Sequence, residues 1–230
     1  MNVLAFDTCF GACSVAVSAD AGTPGQRLFH AFERMETGQA ERLLPMISDV
    51  LAQARLSMAD IDQIGVTTGP GTFTGTRIAV AAAKGLALAR QIPVTGLSSL
   101  AIMARQAAVE APQSAAICVV VDVRRNEVYA QHFDPTGLMA KTPPALLTLD
   151  QVRELAGLEN IIFVGNGASL VAPLNAPQPY GCSMSPELLP DARYAIDVLS
   201  HGVKAASAIS PLYLRQPDAK PAAPSRLERR

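Results

Sequence analysis

The chain has 230 residues, 49% of them hydrophobic and 17% charged, which is enough apolar side chain for a sizeable core and too much for a disordered polymer. Its 19 basic and 20 acidic residues give a formal net charge of −1, so no global field gathers nucleic acid or an anionic membrane. Any contact with RNA has to be local or supplied by a partner.

The opening run MNVLAFDTCFGACSVAVSAD has no basic stretch ahead of its apolar residues and is interrupted early by Asp7, so it does not read as a secretory signal. No apolar segment approaches the roughly 20 residues that cross a bilayer. The expectation is a cytoplasmic protein with no membrane partner. Residues 3–6 predict a buried strand, and 13–18 and 27–33 two more, the latter pair joined by the hairpin loop ADAGTPGQ. An amphipathic helix follows, with Leu43, Leu44, Ile47, Val50, Leu51 and Ala54 at helical spacing and Thr37 as its N-cap. IDQIGVTTG returns as a strand, TGTRIAVAAAKGLALARQ as a second helix, IPVTGLSS as a strand, and a third helix starts at Ser99. The second helix carries six alanines between Ile78 and Ala89 and a single charge, Lys84, which predicts burial on more than one side.

From Ala115 the pattern restarts. AAICVVVDVRRNEVYAQHF predicts a strand, a tight turn and a strand; a helix over 150–158, a strand NIIFVGNGA and a small helix near Ser169 follow. NAPQPYGCSMSPELLP reads as a loop, DARYAIDVLSHGVKAAS as the last helix, and the tail from Gln216 as disordered, its Arg226, Arg229 and Arg230 a solubilising end rather than an RNA contact. The two halves repeat weakly. In each, a strand ends at an aspartate (Asp7, Asp122), turns into a second strand, and is followed later by a strand running into glycines (GVTTGPG, FVGNGAS). Strand and helix alternation supports an α/β class; the duplication points to two lobes, each of β-hairpins with β–α elements, as in the actin-like ATPase (ASKHA) folds.

The stretch TTGPGTFTGTRIAVAAAKG has the look of a phosphate loop, but neither common nucleotide motif fits. A Walker loop needs Lys-Ser or Lys-Thr after its last glycine, where Gly75 is followed by Thr76 and Arg77; Gly69, Gly71 and Gly75 also miss the dinucleotide spacing. Two readings stay open: a turn and helix N-terminus that bind an anion through backbone N–H groups, or a plain turn capped by Thr72 or Thr74. On the first, Asp7, Thr8, Gly69, Gly71, Thr72 and Thr74 are nucleotide-binding candidates, with Asp7 and Asp122 orienting magnesium or water across a cleft. On the second, the aspartates cap turns, and Arg124, Arg125 and Glu127 are solvated. Cys9, Cys13, Cys118 and Cys182 show no zinc spacing, and His30, His132 and His201 fall in unrelated segments. Neither catalytic residues nor a metal site can be assembled from these side chains.

LAFDTCFGACSVAV, ERLLPMI, GPGTFTGTRIAVAAAKGLALARQIPVTGLSSL, VVVDVRRNEVYAQHF, FVGNGA and PLYLR together resemble the TsaB (YeaZ) family over about residues 2–215. The family serves the synthesis of threonylcarbamoyladenosine at position 37 of tRNAs that read ANN codons. The resemblance implies a two-lobed actin-like fold and a non-catalytic partner of TsaD, the related subunit that transfers the threonylcarbamoyl group. It implies work alongside TsaE, an ATPase, and TsaC, which makes the threonylcarbamoyl-adenylate. TsaD carries a His-x-x-x-His metal motif where GQAERLLPM stands here, and many family members keep one histidine where this chain has Gln39 or Ala40. No intrinsic cofactor is implied, although ATP or ADP is allowed at the boundary with TsaD. The helices over 40–56 and 74–90 would then pair with TsaD, or with a second copy in a homodimer, through Leu43, Ile47, Ile78, Ala82, Ala83 and Leu86. On this reading 1–105 is the first lobe, 106–190 a smaller second lobe, 191–215 a helix and PLYLR segment packing back on both, and 216–230 the tail. The alternative is an independent enzyme, a nucleotide-binding ATPase or a glycoprotease-like peptidase.

Overall fold

The computed structural model describes residues 1–112, 115–156, 161–171, 188–202 and 209–215, without the side chains of 155 and 156. The predicted tail, Cys182, most of the proline-rich loop and the end of the last predicted helix lie outside the described residues.

Strands β1 (Val3–Asp7), β2 (Ala12–Ala19) and β3 (Arg27–Arg34) form an antiparallel meander. Helix α1 (Gln39–Ala54) leads through a short 3-10 turn to β4 (Gln63–Thr67), which pairs parallel to β1. Helix α2 (Phe73–Arg90) returns the chain to β5 (Val94–Leu97), completing a sheet of order β3-β2-β1-β4-β5. After α3 (Ser99–Glu110) the plan repeats: β6 (Ala116–Asp122), β7 (Glu127–Phe133) and β8 (Ala145–Thr148) form a second meander, α4 (Leu149–Ala156) crosses over, and β9 (Ile161–Val164) pairs parallel to β6. Short α5 (Ala168–Val171) follows β9, and α6 (Ala192–Ser200) comes last. The order β8-β7-β6-β9 matches the first four strands of the other sheet, so the repeat read in the sequence is a structural one.

Alternation along the strands decides how the layers stack, because successive side chains face opposite ways. In β1, Leu4 and Phe6 pack with α1 and α2, while Val3 and Ala5 pack against α6 and Ile102 of α3. In β6, Ile117, Val119 and Val121 face α3, while Cys118 and Val120 face Val152 of α4 and Val171 of α5. Helices α3 and α6 are therefore the common layer between two sheets, each covered on both faces. This explains strands that read as near-continuous apolar runs. Residue 105, the predicted lobe boundary, falls inside α3, whose Leu100, Met103, Ala104, Ala107 and Ala108 belong to the second sheet's core.

Two local expectations need correction. The N-cap of α1 is Gly38, at φ 92° and with no side-chain cap, because the chain turns there through a left-handed conformation that Thr37 would resist. Helix α2 buries one face only, through Gly75, Thr76, Ala79, Val80 and Ala83, and leaves Leu88 83% exposed. Its alanines permit burial without requiring it. Among the described residues no helix is long and apolar enough to cross a membrane.

The middle layer is tied to the second lobe by Arg105 of α3, which pairs with Asp197 of α6 and donates from Nη1 to the Thr136 carbonyl at 2.9 Å. Replacing Arg105 by alanine leaves a part-buried carboxylate and a carbonyl without these partners, with an expected cost of about 1–2 kcal/mol in urea unfolding.

Candidate functional site

The two strand–Asp–turn loops face each other across an open cleft of about 1160 Å³. Phe10, Gly11, the N-terminal turns of α1 and α2, and Arg34 and Glu36 line one wall; Asp122, Arg124 and Asn166 line the other. Thr72 and Thr74 reach this cleft, whereas Asp7, Thr8, Gly69 and Gly71 are not among the residues lining it. Arg34 and Arg124 are offset by Glu36, Glu41 and Asp122, so the walls do not focus positive potential where a polyphosphate would lie.

The glycine-rich turn is filled by the protein's own backbone. A Cβ on Gly71 would overlap the Cys9 carbonyl, and one on Gly75 would overlap that of Thr8. Here the missing side chains admit a neighbouring loop of the same chain. Thr72 N–H donates to the Cys9 carbonyl at 2.7 Å, Thr8 Oγ1 donates to the Gly75 carbonyl at 2.7 Å, and Thr72 Oγ1 caps the Gly75 N–H at 3.1 Å. The carbonyls of Thr68 and Gly69 accept from the N–H groups of Leu212 and Ser99, and the Pro70 carbonyl from Ser99 Oγ. The peptide bond between Gly69 and Pro70 is cis. A turn held in this way does not fit the cradle of a phosphate loop, whose backbone must lie open to its ligand.

Asp7 is fully buried beneath this turn. A single run of hydrogen bonds ends on it: Thr76 Oγ1 donates to Cys9 Sγ (3.7 Å), Cys9 Sγ to Thr67 Oγ1 (3.2 Å), and Thr67 Oγ1 to Asp7 Oδ1 (2.5 Å), while Cys9 N–H donates to Asp7 Oδ2 (3.2 Å). Burial pushes the Asp7 carboxyl up to about 6, against the lowering effect of the Thr67 and Cys9 hydrogen bonds and with a smaller push from Asp191. Burial and Asp7 together hold the Cys9 thiol well above the ordinary thiol range, so it stays protonated and unreactive. The counterpart Asp122 is exposed; its Oδ1 accepts from Arg124 N–H at 2.8 Å, and Asn166 Oδ1 accepts the Asp122 N–H at 2.9 Å. Both aspartates bind the turns that follow them. Among the described residues no three His, Cys, Asp or Glu side chains gather as a metal site.

The sequence placed Gln39 or Ala40 where many family members keep a histidine, without saying what either side chain touches. Gln39 is buried at the head of α1, and its Nε2 donates to the Met35 carbonyl (3.0 Å) and the Phe10 carbonyl (3.4 Å), fixing the near lip of the cleft. The partner-facing candidates also separate. Leu43, Ile47 and Ala83 are inside the first lobe's core, a correction that follows from apolar periodicity marking the packed face of a helix. Ile78, Ala82 and Leu86 are half-buried at its margin, and the large outward apolar side chains of the two helices are Leu44, 54% exposed, Leu88 and, at the head of α2, Phe73.

Residues 33–186 match the family described as TsaD, tRNA N6-adenosine threonylcarbamoyltransferase. The tRNA threonylcarbamoyladenosine biosynthesis protein TsaB of Escherichia coli K12 is 39% identical over 129 residues, 56% of this chain and 53% of that protein. The chain thus spans about half the length of the first curated relatives it matches. The TsaB of Buchnera aphidicola subsp. Baizongia pistaciae is 31% identical over 172 residues, 72% of this chain and 75% of that protein. A solved structure titled YeaZ from Pseudomonas aeruginosa superposes with a TM-score of 0.78 at 30% identity, covering 93% of this chain and 99% of that one. The architecture is thus the two-lobed, actin-like α/β fold.

The raised carboxyl makes a test of the buried network. From about pH 4 to about pH 6 the folded chain keeps a proton on Asp7 that the unfolded chain has lost. The contribution of this group to stability therefore falls as pH rises through that window, and at neutral pH the burial costs on the order of 3 kcal/mol. Asp7→Asn removes the titration. In urea unfolding the variant is expected to gain on the parent by about 1–3 kcal/mol between about pH 4 and pH 7; parallel pH profiles would contradict the assignment.

Proposed function

Because this chain belongs to the TsaB (YeaZ) family, we propose that it is a non-catalytic partner subunit in the synthesis of N6-threonylcarbamoyladenosine on tRNA. Its partner is a TsaD-type chain that carries the transfer chemistry, with TsaE and TsaC acting in the same cytoplasmic sequence of reactions and tRNA engaged through the complex. The modified nucleoside is position 37 of tRNAs reading ANN codons. The observation that carries the non-catalytic reading is the glycine-rich turn: its close approaches are occupied by the backbone of Thr8 and Cys9, and the aspartate below it is fully buried, its oxygens accepting from Thr67 and Cys9. This chain then holds no nucleotide of its own, and any ATP or ADP belongs at the boundary with TsaD.

The docking surface on this reading is the outer side of α1 and α2, which turns Leu44 and Leu88 into solvent. Exposed apolar side chains on two neighbouring helices suit a helical partner, and a second copy uses the same surface when TsaD is absent. Leu44→Glu together with Leu88→Glu is expected to leave unfolding stability within about 1 kcal/mol of the parent. In calorimetric titration it is expected to weaken binding to the TsaD-type partner at least about 100-fold. Undiminished binding by the folded double variant would remove the surface assignment.

A further inference from the structure

The turn between β6 and β7 is strained. Arg124, Arg125 and Asn126 stand consecutively at φ 66°, 59° and 61°, a left-handed conformation that non-glycine residues rarely adopt, still less three in a row. Its internal ties are few: Val123 N–H to the Glu127 carbonyl, Glu127 N–H to the Arg124 carbonyl, and Arg124 N–H to Asp122. A backbone of this kind persists only when its surroundings over-determine it.

The surroundings include Arg215, near the far end of the chain. Its guanidinium donates to the Val123 carbonyl at 3.0 Å, reaches the Arg124 carbonyl at 3.5 Å, and forms an ion pair with Glu127. Just before it, Leu214 packs into the second lobe's core, while the two residues ahead of that engage the first lobe. Leu212 N–H donates to the Thr68 carbonyl at 2.7 Å, and Tyr213 accepts a 2.6 Å hydrogen bond from Arg77 Nε. Arg77 belongs to α2; its guanidinium lies 3.5 Å from the centre of the Phe73 ring, and that ring is 5.4 Å from Tyr213. Four consecutive residues thus join the outward side of one lobe's helix to the strained turn of the other. The turn supplies Asp122 and Arg124 to the far wall of the cleft.

We propose that residues 212–215 are a latch between the lobes. Arg215 holds the 123–127 turn in its left-handed form, and the Tyr213–Arg77–Phe73 cluster anchors the latch on α2, so that a change at α2 is felt at the cleft wall. The device is a conformational one, and it stands whether or not the outer side of α2 docks a TsaD-type chain.

Amide hydrogen exchange on the full chain tests it, read at Val123, Arg124 and Glu127, whose N–H groups are bonded within the turn. Arg215→Ala is expected to speed exchange there about tenfold; Arg215→Lys, which keeps the charge but loses the fork to the carbonyls, is the second variant should the first not fold. Tyr213→Phe and Arg77→Ala, neither of which touches the turn, are expected to speed the same amides by roughly threefold. Unchanged exchange in the Arg215 variants would overturn the latch. Faster exchange in those alone, with Tyr213→Phe and Arg77→Ala matching the parent, would reduce it to a local tie and overturn the coupling.

Discussion

The seating of the first turn of α2 on the backbone of Thr8 and Cys9 is the contact on which the rest of the first lobe depends. It requires glycine at 71 and 75, because a Cβ at either position would occupy the place of a carbonyl. The same contact sets the end of β1, the start of α2 and, through Thr72, the helix cap. Glycines that would leave room for phosphates in an open loop are here consumed by intramolecular packing. The second lobe repeats the arrangement in weaker form, with Gly167 N–H donating to the Val120 carbonyl at 3.0 Å and Asn166 answering the end of β6.

Beneath that contact lies a buried polar network whose cost is visible in the raised carboxyl of Asp7. Each member satisfies the next, so the chain of donors is specific in direction although not strongly stabilising at neutral pH. Its rigidity leaves the cleft walls to elements at the surface: the head of α1, the cap of α2 and the turn after β6. Two of these are tied down at long range, the head of α1 by the Gln39 bond to the Phe10 carbonyl and the turn after β6 by Arg215.

The layered fold was legible in the sequence because strands buried on both faces read as apolar runs and because the two halves repeat an aspartate and a glycine turn at matching places. Helix faces were harder. Apolar periodicity identified Leu43 and Ile47, but periodicity reports the side that packs, and the outward-facing Leu44 looks the same in a string of letters. The alanines of α2 were ambiguous for a related reason, since a small side chain is tolerated in a core and on a surface alike. PLYLR was read as packing back on both lobes and Gln39 as standing in a histidine's place, but the partners were illegible: Phe10 lies 29 residues from Gln39 and Val123 lies 92 from Arg215, beyond anything that local pattern encodes. The closure of the glycine turn belongs to the same class: spacing excluded two nucleotide motifs, but only coordinates place the carbonyls of Thr8 and Cys9 in the gap.

As proposed above, this chain acts through its outer helices and not through its cleft. The most direct measurement is mass spectrometry of tRNA nucleosides from cells whose sole copy carries either cleft substitutions, Thr74→Ala with Asp122→Ala, or the outward charges at Leu44 and Leu88. Parental threonylcarbamoyladenosine is expected with the cleft variant and its loss with the helix variant. Loss with the cleft variant while the helix variant modifies tRNA normally would contradict the proposal.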